Sequence, residues 1–345
     1  MIPKPKGGSR PLGVGETMAK VAKTLVAKAL VAKVGPDLQA AGQFGVATDG
    51  CHVVARAMQA AFNAGKTVAA IDVRNAFNSV EREEVVAVVE EALPHVSGFI
   101  RHGLGGADMV TKAGVRQVDR GVVQGDPTSS VLFAMVVAKV LKAVATAGVA
   151  KPVGQMEPDG DGCMVGAYAD DITVAAKDGA DLKAALGALE RGLNGVGLTV
   201  ERKKTQVLAH AGLSAEALEE LKAAGATEVN ETSIEVLGVP VGTKEGVEKA
   251  LLAKVRKVAD RWELIEKIGS PMAIYHIVRG RPVASQLQFV LTGARADAVT
   301  EEVWGAVRAL ERRMVEALLG MLAGGLTDEA VEQAYLPIGR GGLGL

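Results

Sequence analysis

The sequence predicts an α+β fold, a sheet backed by helices and followed by a mainly helical region, and three observations predict it. A short apolar run, Thr67–Ile71, stops abruptly at Asp72, as a buried strand does. Two further β-favouring runs, 164–168 and 172–176, are separated only by Ala169-Asp170-Asp171, which reads as a hairpin. The stretches between and beyond these runs have helical spacing. The resulting strand–helix–hairpin–helix–strand order is compatible with a ferredoxin-like sheet.

The elements follow in order. Residues 1–66 are basic, with Val21, Leu25, Ala29 and Leu30 at helical spacing. Asp126-Pro127 is expected to open a helix reaching about residue 147, with Asp as N-cap and Pro in the first turn. A helix is expected over about 181–193, then short extended pieces at 198–200 and 205–208. Gly238 and Pro240 inside 236–241 suggest an irregular strand pair or a tight turn. From 243 to 345 the pattern is nearly all helical. In the helix expected over about 248–268, Leu251, Val255, Val258, Trp262 and Ile265 form an apolar stripe. Lys254, Lys257 and Arg261 form a basic stripe beside it, the pattern of a helix offering cations to a phosphate backbone and equally of any solvated surface helix.

Composition bounds the function classes. The 345 residues are 48% hydrophobic and 23% charged, which excludes bulk disorder. The longest apolar stretch, 131–138, ends at Lys139, far short of the ~20 residues a bilayer span needs, so no membrane association is expected. No apolar segment follows Pro3-Lys4-Pro5-Lys6, so an intracellular location, nuclear or cytoplasmic, is expected. Cys51 and Cys163 alone build neither a disulfide framework nor a zinc cluster. Aromatics are 3%, so the core must be packed with small aliphatic side chains. Residues 1–33 carry seven Lys or Arg against Glu16 alone, a net of +6, which leaves −7 for the rest of a chain of net charge −1. Such a basic arm suits a polyanion or, more blandly, a solvated helix face.

Three carboxylates stand in unusual company: Asp72 closes an apolar run, and Asp170-Asp171 sit in an apolar hairpin. Singly, each has an ordinary explanation as a turn or cap residue. Together they suggest a cation site, because adjacent like charges are costly unless offset and hard oxygen donors suit Mg²⁺.

At these residues the chain resembles the reverse transcriptases. Ile71-Asp72-Val73-Arg74-Asn75-Ala76-Phe77-Asn78-Ser79-Val80 resembles palm motif A, Arg120-Gly121-Val122-Val123-Gln124-Gly125-Asp126-Pro127 motif B, and Tyr168-Ala169-Asp170-Asp171 the YxDD motif C. Gly197-Leu198-Thr199-Val200-Glu201-Arg202-Lys203-Lys204-Thr205 is similar to motif D, and Leu237-Gly238-Val239-Pro240 sits where motif E, the primer grip, belongs. The wording of motif B and the terminal run 336–345 look most like non-LTR retrotransposon polymerases.

The resemblance implies a right-hand polymerase with fingers, a ferredoxin-like palm and a helical thumb. Residues 1–66 would be fingers, 67–242 palm with a second fingers segment at about 81–119, and 243–345 thumb and C-terminal connector. It implies RNA-directed DNA polymerase activity: a primer 3′-hydroxyl extended with dNTPs on an RNA template by a two-metal-ion mechanism with Mg²⁺ or Mn²⁺. Asp72 and Asp170 would bind both ions with the Val73 carbonyl, and Asp171 would be their less direct partner. Phe77, five residues after Asp72, matches the steric gate that disfavours a 2′-hydroxyl. Gln124 and Gly125 match the loop against the incoming nucleotide, and Lys4 and Arg10 the finger cations that hold its triphosphate, with Lys6 able to replace Lys4. Lys204 matches the lysine that protonates pyrophosphate, with Lys203 as its neighbouring alternative. Leu237, Gly238, Lys254, Lys257 and Arg261 would contact primer and template.

Two departures qualify the match. Ser130 stands where the family usually has a second proline, and the chain starts inside the first finger motif, so either an isolated polymerase core or a fragment of a longer element is expected. Two other readings stay open: a catalytically weak or inactive RNA-binding remnant, and an RNA-dependent RNA polymerase, against which the bulk of Phe77 speaks.

Overall fold

Hydrophobic spacing lays down helices before any strand of the main sheet. The computed structural model describes residues 2–3, 9–10, 16–105, 108–111, 114–117, 119–210, 216, 219, 222, 228–280, 283–323, 327–340 and 343. The chain divides into two units, Met1–Leu237 and Gly238–Leu345. In the first, a short antiparallel ribbon of β1 (Ile2–Pro3) and β2 (Ser9–Arg10) precedes α1 (Thr17–Ala40) and α2 (Gly50–Asn63). Helix α1 buries Leu30, Val34 and Leu38, a four-residue repeat, while Met18, Val21 and Leu25 in its first half stay exposed.

The order then runs β3 (Thr67–Ile71), a single turn α3 (Ala76–Ser79), α4 (Arg82–Ala92), α5 (Pro94–Leu104) and the ribbon of β4 (Asp108–Thr111) with β5 (Gly114–Gln117). Helix α6 (Ser129–Thr146) leads to β6 (Ala150–Pro152), β7 (Cys163–Tyr168), β8 (Asp171–Ala176) and α7 (Gly179–Gly195). Strands β9 (Gln206–Leu208), β10 (Glu228–Asn230) and β11 (Ser233–Val236) complete the unit.

Six strands form one sheet in the order β10-β9-β3-β8-β7-β6. Its centre, β9-β3-β8-β7, is antiparallel throughout, and its two edge pairs are parallel. Side chains alternate between faces, so Ile71, Val165, Ala167, Ile172 and Val174 join the core shared with α6 and α7. Helix α2 covers the other face of β3, β8 and β7, close enough that a Cβ on Gly166 would meet Val54 at 3.4 Å. Small residues at this contact explain how a chain so poor in aromatics packs two helical layers onto the strands.

Two expectations need correction. The α6 helix starts at Ser129, not at Asp126-Pro127, because the Asp126 carboxylate accepts hydrogen bonds from the Thr128 backbone and hydroxyl and closes a turn of its own first. The hairpin loop has two residues rather than three, since Asp171 pairs with Tyr168 and opens β8. Helix α6, at 18 residues, is the one described helix long and apolar enough to cross a membrane, and 67% of it is buried within the unit, as suits a core helix.

The second unit starts with β12 (Val239–Gly242) and continues with α8 (Lys244–Glu266), α9 (Pro271–Gly280), α10 (Val283–Gly293), α11 (Glu301–Ala323) and α12 (Asp328–Ala334). The Thr243 hydroxyl accepts the Gly246 N–H and caps α8. Leu251, Val255, Val258 and Trp262 are buried as their spacing predicts, and Ile265 packs against that cluster half-buried. The expected 242/243 boundary lies at the far end of β12 from this division.

Gly192 in α7 lets that helix sit on α6: a Cβ there would stand 2.6 Å from Val140 Cγ1. Gly192→Leu is expected to lower the unfolding free energy by ~2–3 kcal/mol through overpacking, read as a lower urea midpoint.

Candidate active site

The register of the central strands decides where the carboxylates stand. The β3–β8 ladder ends with Ile71 opposite Ile172, so Asp72 and Asp171, the next residue of each strand, stand at the same end of it. Asp171 also pairs with Tyr168 across the hairpin. Because Ile71 and Ile172 point into the α6–α7 core, Asp72, Asp171 and Tyr168 fall on the opposite face, just beyond the N-terminus of α2. Asp170, half-buried, occupies the hairpin tip between them. The sequence's three carboxylates are therefore gathered at one end of the sheet.

Asp72 is held by its surroundings. Its carbonyl accepts the Glu201 N–H at 2.8 Å, and the Arg74 N–H donates to Thr199 at 2.8 Å, bridging Val73 to Val200. The Lys204 ammonium donates to Asp72 Oδ2 at 2.8 Å. That hydrogen bond raises the Lys204 pKa above the ordinary lysine range despite the opposing effect of partial burial. Of the two lysines at this turn, Lys204 is thus the one paired with Asp72.

The motif B segment is latched to the motif A turn by backbone. Gly121 N–H donates to the Val80 carbonyl at 2.9 Å and Val122 N–H to the Phe77 carbonyl at 2.7 Å. Arg82 Nε donates to the Gly121 carbonyl at 3.1 Å. Gly121 has φ +76, and a Cβ there would lie 2.5 Å from Asn78 backbone, so the close approach requires glycine. Gly125 has φ +99 and is exposed beside half-buried Gln124. Phe77 stacks on the buried Phe133 ring of α6, centroids 4.6 Å apart, and keeps part of its surface open.

Two groups the sequence did not single out hold this region together. Lys23 of α1 donates to Asp126 Oδ2 at 2.5 Å. Burial works against ionising Asp126, but hydrogen bonds from Lys23 and Thr128 outweigh it and keep the carboxyl below the usual range. Gln43, fully buried, reaches the hairpin tip, with Oε1 accepting the Ala169 N–H at 2.9 Å and Nε2 donating to the Ala169 carbonyl at 3.1 Å. The one signal in sequence was a polar residue between glycines in Gly42-Gln43-Phe44-Gly45. Beside the carboxylates, burial and then the Asp171 charge push the Cys51 thiol up, opposed by a hydrogen bond with Tyr168.

Other expected residues are placed less tightly or elsewhere. Lys4, like Lys6, lies outside the described residues, and Arg10 is described only as backbone in β2. Leu237 and Gly238, with φ +53 and +84, form the turn at the junction of the two units. Within the second unit Lys254 donates to the Gly238 carbonyl at 2.9 Å, and Lys257 and Arg261 are exposed further along α8.

Carboxylate oxygens and a backbone carbonyl suit a hard divalent cation. Among the described residues no three Asp, Glu, His or Cys side chains form a ready-made cage.

The sequence matches the family model described as reverse transcriptase (RNA-dependent DNA polymerase) over residues 2–241. Among curated proteins it is 30% identical over 159 residues to the retrovirus-related Pol polyprotein from type-1 retrotransposable element R2 of Nasonia vitripennis. That match covers 42% of this chain and 14% of the relative, so the chain spans a small part of the relative's length. Among solved structures, the telomerase of Candida albicans in complex with a telomeric RNA fragment aligns over 92% of this chain and 57% of its own, at 10% identity and TM-score 0.50. The apo telomerase of Candida tropicalis covers 91% of this chain and 61% of its own, at 9% identity and TM-score 0.46. At such identities the Candida albicans likeness concerns the α+β polymerase fold alone.

Lys23→Met is expected to destabilise the first unit by ~1–2 kcal/mol at pH 7, read by urea unfolding, because it leaves a largely buried carboxylate short of its partner. The Asp126 pKa is depressed on folding, so its contribution is full above the unfolded value of ~3.9 and lost as pH falls through the native one. The difference between wild type and variant should therefore shrink below about pH 4.

Proposed function

The chain belongs to the reverse transcriptase (RNA-dependent DNA polymerase) family, and we propose that it is the polymerase core of a non-LTR retroelement protein, extending a primer 3′-hydroxyl with deoxynucleotides on an RNA template. The observation that supports this reading is the β3–β8 register, whose last pair, Ile71 with Ile172, leaves Asp72 and Asp171 as the next residue of each strand, with Asp170 in the adjoining tip. Asp72, Asp170 and the Val73 carbonyl would hold two Mg²⁺ or Mn²⁺ ions, with Asp171 alongside. The ions, when bound, would supply activation of the primer hydroxyl and charge neutralisation at the departing pyrophosphate.

The remaining roles belong to the chain's own groups. Lys204, whose ammonium donates to Asp72, would give its proton to the leaving pyrophosphate once substrate phosphates arrive. Phe77, backed by Phe133, is a rigid platform whose bulk disfavours a 2′-hydroxyl. Gln124 and Gly125 would line the nucleotide from the latched motif B loop, and Lys4 and Arg10 would meet its triphosphate. Leu237 and Gly238 would grip the primer, while Lys254, Lys257 and Arg261 would meet the primer–template backbone. In this reading residues 1–66 and about 81–119 are fingers, the rest of 67–242 palm, and 243–345 thumb and connector.

Primer extension on an RNA template with Mg²⁺ or Mn²⁺ tests the proposal. Wild type should add dNTPs, and Asp170→Ala/Asp171→Ala should reduce the rate by about a thousandfold or more. Equal extension by both would overturn the assigned site, and RNA binding without extension would point to a remnant. Phe77→Val is expected to raise ribonucleotide use by ~10-fold or more relative to dNTP. Wild-type preference for rNTP would instead indicate an RNA polymerase.

A further inference from the structure

The tip of the β7–β8 hairpin is held in a conformation it would not readily keep alone. Ala169 has φ +54, a left-handed backbone that L residues with a Cβ adopt under strain. As the first residue of a two-residue loop, it has no cross-strand partner in the β7–β8 ladder, which ends at Tyr168 opposite Asp171. Both its N–H and its carbonyl are taken by one side chain, the carboxamide of Gln43, at 2.9 and 3.1 Å.

Gln43 is itself fixed from several sides. Its Oε1 also accepts the Gly45 N–H at 2.8 Å, its side chain is 0% exposed, and its backbone bridges Ala167 in parallel. Phe44 N–H donates to the Ala167 carbonyl at 2.7 Å, and Ala167 N–H donates to the Gly42 carbonyl at 2.8 Å. Gly45 is needed for this approach, since a Cβ there would stand 2.7 Å from the Ala169 nitrogen. A carboxamide is the functional group that both accepts and donates here; a carboxylate would set an oxygen against the Ala169 carbonyl, and a thioether would satisfy neither group.

We propose that Gln43 is a positioning residue that clamps Ala169 and thereby fixes the direction in which Asp170 and Asp171 are presented beside Asp72. The inference rests on the reading of this hairpin as the catalytic one. Without the clamp, the tip relaxes away from positive φ and rotates the peptide that leads into Asp170. Misplacing a reacting group by an ångström is enough to slow chemistry strongly while leaving substrate binding intact.

The test compares wild type, Gln43→Met, Gln43→Glu, Ala169→Gly and Gln43→Met/Ala169→Gly in the full chain. It reads amide exchange at Ala169 and single-nucleotide extension. In Gln43→Met the Ala169 amide should exchange ~10-fold faster or more while Val165 and Val174 amides stay protected. Its kcat should fall by ~10- to 100-fold with KM for dNTP within about twofold of wild type. Gln43→Glu should fall similarly at neutral pH. Adding Ala169→Gly to Gln43→Met should recover part of kcat, because glycine adopts positive φ without strain. Unchanged Ala169 exchange, an unchanged kcat, or a loss that Ala169→Gly does not relieve would each overturn the clamp. If wild type itself extends no primer, it is the proposed function that fails, and the Ala169 amide alone then decides whether Gln43 holds the tip.

Discussion

The antiparallel pairing of β3 with β8 is the constraint on which the rest of this site depends. Five consecutive residue pairs, from Thr67 with Ala176 to Ile71 with Ile172, lock the register. A slip of one residue would set Ile71 opposite Asp171 or Thr173, so that Ile71 and Ile172 could no longer both face the α6–α7 core. Burial of the apolar side chains therefore enforces the position of the acidic ones. Fully burying a Val- or Ile-sized side chain is worth ~1.5–3 kcal/mol, which exceeds the modest repulsion between partly solvated carboxylates.

Around that frame, the loops are fixed by backbone contacts more than by side chains. The motif A and motif B turns exchange N–H and carbonyl groups at Val80, Phe77, Gly121 and Val122, with Gly121 permitting the contact. Lys23 ties the motif B turn to α1, and Gln43 ties the hairpin tip to the α1–α2 connection. The groups with proposed chemical roles thus stand on turns whose geometry is set from outside those turns. Sites of this kind combine local backbone strain, here at Ala169, with a surrounding structure that over-determines it.

Much of this was readable in the residues. Thr67–Ile71, the hairpin strands, α7 and the apolar stripe of α8 follow from periodicity, since each is a local pattern of burial. The carboxylates and the five motifs in their order were legible because chemistry demands particular residue types at those places. The start of α6 was not, because Asp126 caps a turn two residues ahead of the helix, and N-cap residues suit either structure.

By itself, then, the sequence determined the element types, the family and which side chains are available for chemistry. Tertiary structure alone decided that Asp171 belongs to a strand while Asp170 is at the tip, that Phe77 rests on Phe133, and that Lys204 rather than Lys203 pairs with Asp72. It also supplied Lys23 and Gln43, whose partners lie 103 and 126 residues away. The reason is physical: periodicity reports which face of an element is buried, whereas strand register and side-chain pairing between distant segments arise only when cores close and one alignment buries more apolar surface than its neighbours.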